Sequence, residues 1–434
     1  MRKNINKIIA FAIGISVMSG SVVPALAADS TQQTTTSTST AKNSQIVNGK
    51  PLLTLDEAVK EAISISEILQ LDTSKITYQD KTNDLNEDLD DSKDVSGDEE
   101  DFNDDTREVS ANKARQQRDF DQDLLIYKVT KKYNDMVTSQ MEIDKASKNL
   151  EIKKKELKDA QLRGSLGMTI PVDLKATQLE IEKLENKQKS SESALKDAQY
   201  SFKVLTGKDV TQYSLEQDVK FEPLKIDGSV DKYLDNSIES YIKYSEQLVK
   251  LNKDYYDKEY VDDNKLDSKD VNAAKDAIRS AQGAYDEARN DTSGKFTEDD
   301  IKNKKDILDK AKTDYTSKIS ARITYLKTKL DNYESETSLN ENKKAFKDNL
   351  KTYYTNLLAS EDNINTYKKN IEVYNEKLKN YKLQYDLGMI TESTYNGYVL
   401  NSIQDEIDLR NEIISYNTLK QEIQKPWIAF SGAK

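Results

Sequence analysis

KNLEIKKKELKDAQLRGSLGM at residues 148–168 and KNIEVYNEKLKNYKLQYDLGM at residues 369–389 are two versions of one segment. Each is a polar helical pattern that ends at a glycine and is followed by a second helical stretch. An internal repeat of this kind identifies the structural unit of a chain, and here it predicts a helix–glycine turn–helix hairpin that occurs twice. Aligned without a gap, the two copies agree at Asn149/Asn370, Glu151/Glu372, Leu157/Leu378, Lys158/Lys379, Leu162/Leu383 and Leu166-Gly167-Met168/Leu387-Gly388-Met389.

The first 27 residues have the pattern of a secretory signal peptide. A basic start is followed by an apolar run at 8–23 and by the small-residue cleavage pattern Pro24-Ala25-Leu26-Ala27. The alternative is a retained anchor, but glycines and serines dilute a run that would need about 20 apolar residues to span a bilayer. We therefore expect cleavage after Ala27 and export of the chain.

The composition favours long helices over a compact globule. Charged residues make up 33% of the chain, hydrophobic residues 36%, and the mean hydropathy is -0.82. Helices that bury only a narrow apolar stripe need less apolar content than a globular core does. The net charge of -12 and the isoelectric point near 5.0 argue against nucleic acid as a partner.

The domain organisation follows from the repeat and from shifts in composition. The Ser/Thr-rich stretch 28–52 cannot bury apolar surface and is expected to be a disordered leader. Thr54 and Glu57 have the spacing of a capping box at the start of a helix. The remaining segments are helical repeat 1 at 53–228, with an acidic loop at 84–108, and helical repeat 2 at 229–434, with a charged helical insertion at 257–310.

Heptad spacing is clearest in the second repeat. An unbroken 4-3 series, the pattern of a coiled-coil seam, ends just before Gly388. An earlier series at Ile319, Ile323, Leu326, Leu330 and Tyr333 has another phase, which predicts a stutter at 334–345. Strand patterns are nearly absent, so the predicted fold is all-α, with two tandem repeats of long antiparallel coiled-coil hairpins and without β-barrel strands. The long series is Phe346, Leu350, Tyr353, Leu357, Ser360, Ile364, Tyr367, Ile371, Tyr374, Leu378, Tyr381 and Tyr385.

The residue types present argue against an enzyme. The chain has no histidine and no cysteine, which excludes the usual zinc sites and Ser-His-Asp triads. Asp101, Asn103 and Asp105 fit the start of a calcium loop, but Thr106 stands where the loop needs glycine. Two Ser-x-x-Lys spacings, at 193–196 and 240–243, lie in ordinary helical pattern without companion motifs. We expect no catalytic residue, no cofactor and no metal.

The repeat organisation of the sequence resembles that of the TolC-type outer-membrane efflux family. In that family a long helix, a glycine-bearing tip turn and a returning helix occur twice per chain. The family's opening pattern is similar to 53–63, and its tip-and-return pattern is similar to 167–179, closing at 198–207. The second copy, from Gly388 to Gly432, matches the family's pattern less closely. The resemblance implies that three chains close a twelve-helix α-barrel whose tips face a periplasmic-adaptor-like (membrane fusion) protein and, through it, an inner-membrane transporter. The tip positions that it implies are Leu166, Gly167, Met168, Leu387, Gly388 and Met389.

The chain departs from the family where each repeat would insert two barrel strands, because those places hold the segments 84–108 and 257–310. The resemblance is therefore to a barrel-less relative, located in the outer membrane by family resemblance, or extracytoplasmic and wall-associated in a cell without one. The predicted function is the exported helical conduit of a multi-part efflux or secretion system. The alternative is a structural coiled-coil spacer or scaffold of the cell envelope without transport activity.

Overall fold

The computed structural model describes residues 46–47, 49–165 and 171–430. The predicted signal peptide at 1–27 and the first-tip residues Leu166, Gly167 and Met168 lie outside these ranges. The described strands are β1 (Ile46–Val47), β2 (Lys50–Leu53) and β3 (Ser214–Leu215). The described α-helices are α1 (Leu55–Ile65), α2 (Glu67–Ser92), α3 (Asp98–Ser165), α4 (Pro171–Thr206), α5 (Val230–Asp254), α6 (Tyr260–Asp263), α7 (Ser268–Arg289), α8 (Glu298–Asp386), α9 (Glu392–Gln424) and α10 (Pro426–Phe430).

The all-α prediction is confirmed for the described residues, whose strands form a single small sheet. In this sheet β2 pairs antiparallel with β1 and parallel with β3. Among the described helices, none is both long and apolar enough to span a lipid bilayer. Two short non-α turns complete the described secondary structure, a 3-10 turn at Val210–Gln212 and a π-helical turn at Tyr255–Glu259.

Local signals set several helix ends where the sequence predicts them. Thr54 caps α1, because its side chain accepts from the Glu57 amide while the Glu57 carboxylate accepts from the Thr54 amide. Helix α4 begins at Pro171, a residue suited to the first helical turn. It is followed by Gly207 at φ +71°, whose amide donates to the Lys203 carbonyl at 2.7 Å.

The prediction of a disordered leader at 28–52 is wrong for the C-terminal end of that segment. Strands β1 and β2 begin before residue 53, and the hydroxyl of Ser214 donates to the Val47 carbonyl at 2.7 Å. The parallel pairing with β3 satisfies backbone groups of a segment whose own sequence carries little strand signal.

The acidic loop predicted at 84–108 is also wrong, since this segment is the end of α2, a short turn and the start of α3. Tertiary contacts counter the charge repulsion there. The Arg107 guanidinium lies 2.6 Å from the Asp90 carboxylate and also contacts Asp104, while Asn103 donates to Asp90 at 3.2 Å. Most of the other acids in this segment are exposed to water, which screens their mutual repulsion.

Helix α8 has one continuous inner stripe, so the predicted stutter at 334–345 is wrong. The series from Phe346 to Tyr385 is buried or half-buried at every position, as expected of a seam. The same phase continues backwards through Leu339 and Tyr325, which are both buried. The side chains of Ile323, Leu326, Leu330 and Tyr333 lie instead on the exposed side of α8.

Two compact units make up the chain. Unit 1 contains the described residues of 46–71, 118–237 and 349–430, and unit 2 contains residues 72–117 and 238–348. Every boundary between these segments falls inside a helix, namely α2, α3, α5 or α8.

In unit 1, the helices α4, α3, α9 and α8 are neighbours in that order, and each neighbouring pair is antiparallel. The amide of Gln188 on α4 donates to Ser147 on α3, Lys145 on α3 donates to Gln404 on α9, and Tyr398 on α9 stacks on Tyr381 on α8. The core of this unit lies between α1, α3 and α4. It includes Ala58, Val129, Tyr133, Met136, Val137, Leu195 and Phe202.

In unit 2, charged and aromatic residues hold neighbouring helices together. Arg115 on α3 lies 2.8 Å from Asp80 on α2, and Phe102 on α3 stacks on Tyr255 beside α5, with 4.1 Å between ring centroids. Helix α5 pairs with α8 through Lys253 and Glu336 at 2.8 Å. The inner stripe of α8 can therefore include charged residues, because α5 supplies their partners.

Candidate functional site

The second hairpin turn is closed by the C-terminal end of α8. The amide of Gly388 donates to the Tyr385 carbonyl at 2.9 Å, and the amide of Met389 donates to the Gln384 carbonyl at 2.8 Å. These two bonds form a Schellman motif, which requires a left-handed residue after the helix. Gly388 supplies that conformation at φ +70°, where a side chain would be strained.

The returning helix α9 begins immediately after this turn. Thr391 is its N-cap, and its side chain accepts from the Thr394 amide at 3.2 Å. The caps at both helix ends give partners to backbone groups that a helix end would otherwise leave open. The turn therefore carries its side chains between two capped helix ends.

The turn exposes apolar side chains to solvent. Leu387 is 66% exposed and Met389 is 70% exposed, and Leu383 on the preceding turn of α8 is also exposed. Exposed apolar residues that cluster on a rigid element indicate an interaction surface more strongly than single exposed residues do. We define the second tip as Leu383, Leu387, Gly388 and Met389.

Two tyrosine pairs support the second tip from behind. The rings of Tyr381 and Tyr398 stack with centroids 3.5 Å apart, and those of Tyr385 and Tyr395 stack at 5.4 Å. The Lys382 ammonium lies 5.1 Å from the Tyr385 ring centroid. A hydrogen bond with Tyr381 raises the pKa of the Tyr398 hydroxyl. These contacts join α8 to α9 directly behind the turn.

The first hairpin approaches the second near this turn. The Lys155 ammonium on α3 lies 2.6 Å from the Glu392 carboxylate at the start of α9, and Ser393 donates to Glu156. The hydrogen bond to Glu392 raises the pKa of Lys155. Helix α3 continues from Lys155 to Ser165, a further length of roughly 15 Å. The described end of α3 and the Gly388 turn therefore lie at the same end of unit 1.

Of the six tip positions taken from the sequence, Leu387, Gly388 and Met389 are brought together in one turn. The other three, Leu166, Gly167 and Met168, lie outside the described residues. Sequence reasoning missed the supporting role of the tyrosine pairs, because it treated Tyr381 and Tyr385 only as seam residues. Their repeated pairing with tyrosines just after the turn is the signal that could have revealed it.

The segments weighed for other chemistry have ordinary structural contacts. Asp101, Asn103 and Asp105 lie within α3, whose helical backbone cannot form a calcium loop. The hydroxyl of Ser193 donates to the Lys189 carbonyl at 3.0 Å within its own helix. Over the described ranges, no cluster of acidic side chains has the composition of a metal site.

Comparison with known proteins identifies the fold. No protein-family profile and no curated protein matches the sequence. Among solved structures, the outer membrane protein VceC from Vibrio cholerae is similar with a TM-score of 0.50 and 10% sequence identity, over 86% of this chain and 96% of that chain. CusC gives a TM-score of 0.49 with 11% identity, over 86% of this chain and 91% of that chain. The outer-membrane channel OprN gives a TM-score of 0.48 with 11% identity, over 86% of this chain and 90% of that chain.

The fold of the described residues, long antiparallel helices with few strands, is thus similar to that of the outer membrane protein VceC. The resemblance to the TolC-type outer-membrane efflux family that the sequence suggests is confirmed at the level of the fold.

Proposed function

We propose that this protein is the helical-conduit component of a multi-part efflux or secretion system of the cell envelope. The second tip carries this proposal, because a capped turn at the end of two long helices presents Leu387 and Met389 to solvent. The fold likeness to outer-membrane channels supports the same function. The protein is a conduit and not an enzyme in this proposal.

The proposed partners are those that the family resemblance implies. Three copies of the chain form the conduit, and the hairpin tips dock an adaptor protein that connects the conduit to an inner-membrane transporter. Leu166, Gly167 and Met168 would complete the docking surface on the first hairpin. The protein is exported and resides in the cell envelope, in the outer membrane or associated with the wall.

Adaptor docking can be tested by changing the second tip alone. In Leu387→Asp/Met389→Asp, two exposed apolar side chains are replaced by charged ones, which leaves the Schellman hydrogen bonds of the backbone in place. We expect binding to a purified adaptor protein from the same genome to weaken at least tenfold, since interface anchors typically contribute 1–2 kcal/mol or more each. Binding is measured by surface plasmon resonance.

The matched control is Leu326→Asp/Leu330→Asp, which makes the same chemical change on exposed residues of α8 in unit 2. This variant should bind the adaptor as the original chain does. Equal binding by all three proteins to every adaptor of the genome would contradict tip docking and would favour the envelope spacer.

A further inference from the structure

The tyrosine pair Tyr381 and Tyr398 has a geometry that ordinary packing does not require. The ring centroids lie 3.5 Å apart, and the angle between the ring planes is 4°. Aromatic pairs in proteins prefer offset or edge-to-face arrangements with centroids roughly 4.5–7 Å apart, because the electron-rich faces of two rings repel each other. The two rings of this pair instead overlap face to face, at the contact distance of carbon atoms.

The hydroxyl groups of the pair determine how the two rings are turned relative to each other. The hydroxyl of Tyr398 is hydrogen-bonded to that of Tyr381. Because the rings overlap and their hydroxyls are adjacent, the ring carbons next to each hydroxyl, the Cε atoms, also face each other across the stack. Both side chains are half-buried, so α8 and α9 hold the rings while small molecules can reach them from the solvent.

Two tyrosines in this arrangement are suited to oxidative coupling. A one-electron oxidant removes one electron and one proton from a phenol and leaves a phenoxyl radical, whose unpaired electron is shared with the Cε carbons. Two such radicals combine when their Cε carbons approach each other perpendicular to the ring planes, because the orbitals that form the bond point in that direction. The face-to-face stack of Tyr381 and Tyr398 provides this direction of approach.

We propose that Tyr381 and Tyr398 are a site of covalent modification, at which hydrogen peroxide and a haem peroxidase join the two rings as dityrosine. Each tyrosine gives up one electron and one proton, and one Cε–Cε bond forms between the rings. The hydrogen on each bonded carbon then leaves as a proton, while each phenol oxygen takes up a proton. The pair has lost two hydrogen atoms in total, and these convert one molecule of hydrogen peroxide into two of water.

The new bond would link α8 to α9 directly behind the second tip. The chain contains no cysteine, so a disulfide cannot supply such a link. A covalent connection between Tyr381 and Tyr398 closes a ring of chain that includes the Gly388 turn, and it restricts the unfolded hairpin as a disulfide does. Coupling depends on the stacking geometry and not on the proposed function.

The second tyrosine pair on the same hairpin provides an internal comparison. The rings of Tyr385 and Tyr395 are also nearly parallel, at 9°, but their centroids are 5.4 Å apart. The Lys382 ammonium lies 5.1 Å from the Tyr385 centroid and 5.6 Å from the Tyr395 centroid. The ring electrons attract a cation at this distance, so the removal of an electron from either ring becomes less favourable. We therefore expect oxidation to couple Tyr381 with Tyr398 in preference to Tyr385 with Tyr395.

Digestion with trypsin separates the two possible products. Trypsin cuts after Lys379, Lys382 and Arg410, so peptide 380–382 contains Tyr381 and peptide 383–410 contains the other three tyrosines. Coupling of Tyr381 to Tyr398 joins these two peptides, whereas coupling within the second pair leaves peptide 383–410 unjoined and lighter by two hydrogen atoms. The full chain is treated at low micromolar concentration with hydrogen peroxide and a haem peroxidase, and its peptides are identified by mass spectrometry.

The matched variants are Tyr398→Phe and Tyr385→Phe, each of which removes one hydroxyl. Phenylalanine keeps the ring but cannot form a phenoxyl radical. We expect Tyr398→Phe to reduce the yield of joined peptides at least tenfold and Tyr385→Phe to leave it unchanged. Circular dichroism should show the same helical content in both variants and in the original chain. Joined peptides from Tyr398→Phe at the original yield would contradict the assigned pair.

An equal mixture of ordinary and isotopically labelled chains shows whether the bond forms within one chain. Joined peptides whose two members carry the same label support the proposed site. Joined peptides that combine the labels at random would show coupling between chains and would overturn it. The original chain needs no variant for a further comparison, because a larger yield of the lightened peptide 383–410 than of joined peptides, or no coupled product, also overturns the site.

Discussion

The Tyr133 hydroxyl lies 2.6 Å from the Leu53 carbonyl oxygen, to which it donates, and it accepts from the Glu216 amide at 2.7 Å. One buried side chain on α3 thereby holds the end of β2 and the segment after β3. Both backbone groups belong to segments with little regular secondary structure of their own. Tyr133 replaces the ladder partners that a larger sheet would supply.

Replacing Tyr133 by phenylalanine should destabilise the protein by about 1–3 kcal/mol, because the ring still fills its site while a buried carbonyl and a half-buried amide lose this partner. The free energy of unfolding is measured by urea denaturation followed by circular dichroism. Tyr200→Phe removes a hydroxyl from an exposed ring and is the control, expected to change stability by less than about 0.5 kcal/mol. Equal stability of both variants would contradict the role of the hydroxyl.

Tyr133 should also make stability depend on alkaline pH. Burial raises its pKa from 10.0 to about 12, so the folded protein keeps this proton where the unfolded chain has lost it. The stabilisation is complete below pH 10 and is lost as the pH rises from 10 to 12. Across that interval the original chain should lose up to about 1.4 kcal/mol per pH unit more than Tyr133→Phe does. Identical pH dependence of the two proteins would refute the shift.

Alanine substitution at two different glycines should change the stability of the protein in opposite directions. Gly388 has φ +70°, so Gly388→Ala should destabilise the second hairpin by about 1 kcal/mol or more. Gly397 lies inside α9, and an added Cβ there meets open space. Gly397→Ala should stabilise the protein by about 0.4–1 kcal/mol, because alanine restricts the unfolded chain and favours helix. Urea denaturation measures the change in the free energy of unfolding for each variant. Changes of the same sign would contradict the assigned turn.

Even replacement of Arg410 by lysine, the residue most similar to it, is expected to destabilise the protein. It is buried on α9, and its guanidinium donates to Asn134 at 3.0 Å and to the Gln217 carbonyl. Burial lowers its pKa. Lysine keeps the buried charge but cannot donate in the same directions, so Arg410→Lys should cost about 1.5–3 kcal/mol. Arg279→Lys, at an exposed pair with Asp276, should change thermal stability little.

Local signals made much of the fold predictable. Thr54, Pro171, Gly207 and Gly388 each act through their own backbone or through residues within one turn, so a short stretch of sequence contains the whole cause. The inner stripe of α8 from Phe346 to Tyr385 was predictable because almost all of its members are bulky.

The errors arose where the cause lies in a distant segment. The charges at 84–108 predict repulsion, but Arg107 reaches across to Asp90 on another helix. The stripe at 323–333 is as apolar as a buried one, whereas the inner stripe there contains Lys329, which lies 3.1 Å from Asp257. Spacing alone cannot show which of two stripes has a partner. The turn at Gly388 is predictable because its cause is local, while its tyrosine supports depend on the pairing between α8 and α9.

The positions of the unit boundaries also bear on how such a chain can evolve. Unit 2 is made of two separate segments, and each begins and ends in the middle of a helix. A single recombination event between loops could therefore neither donate nor remove it. Length changes in α3 and α8 would preserve the inner stripes on both sides of a boundary when they come close to whole turns of helix, as 7 or 11 residues do. Descendants of a common ancestor should accordingly differ in the length of these helices by steps of about 7 or 11 residues, gained or lost in neighbouring helices together.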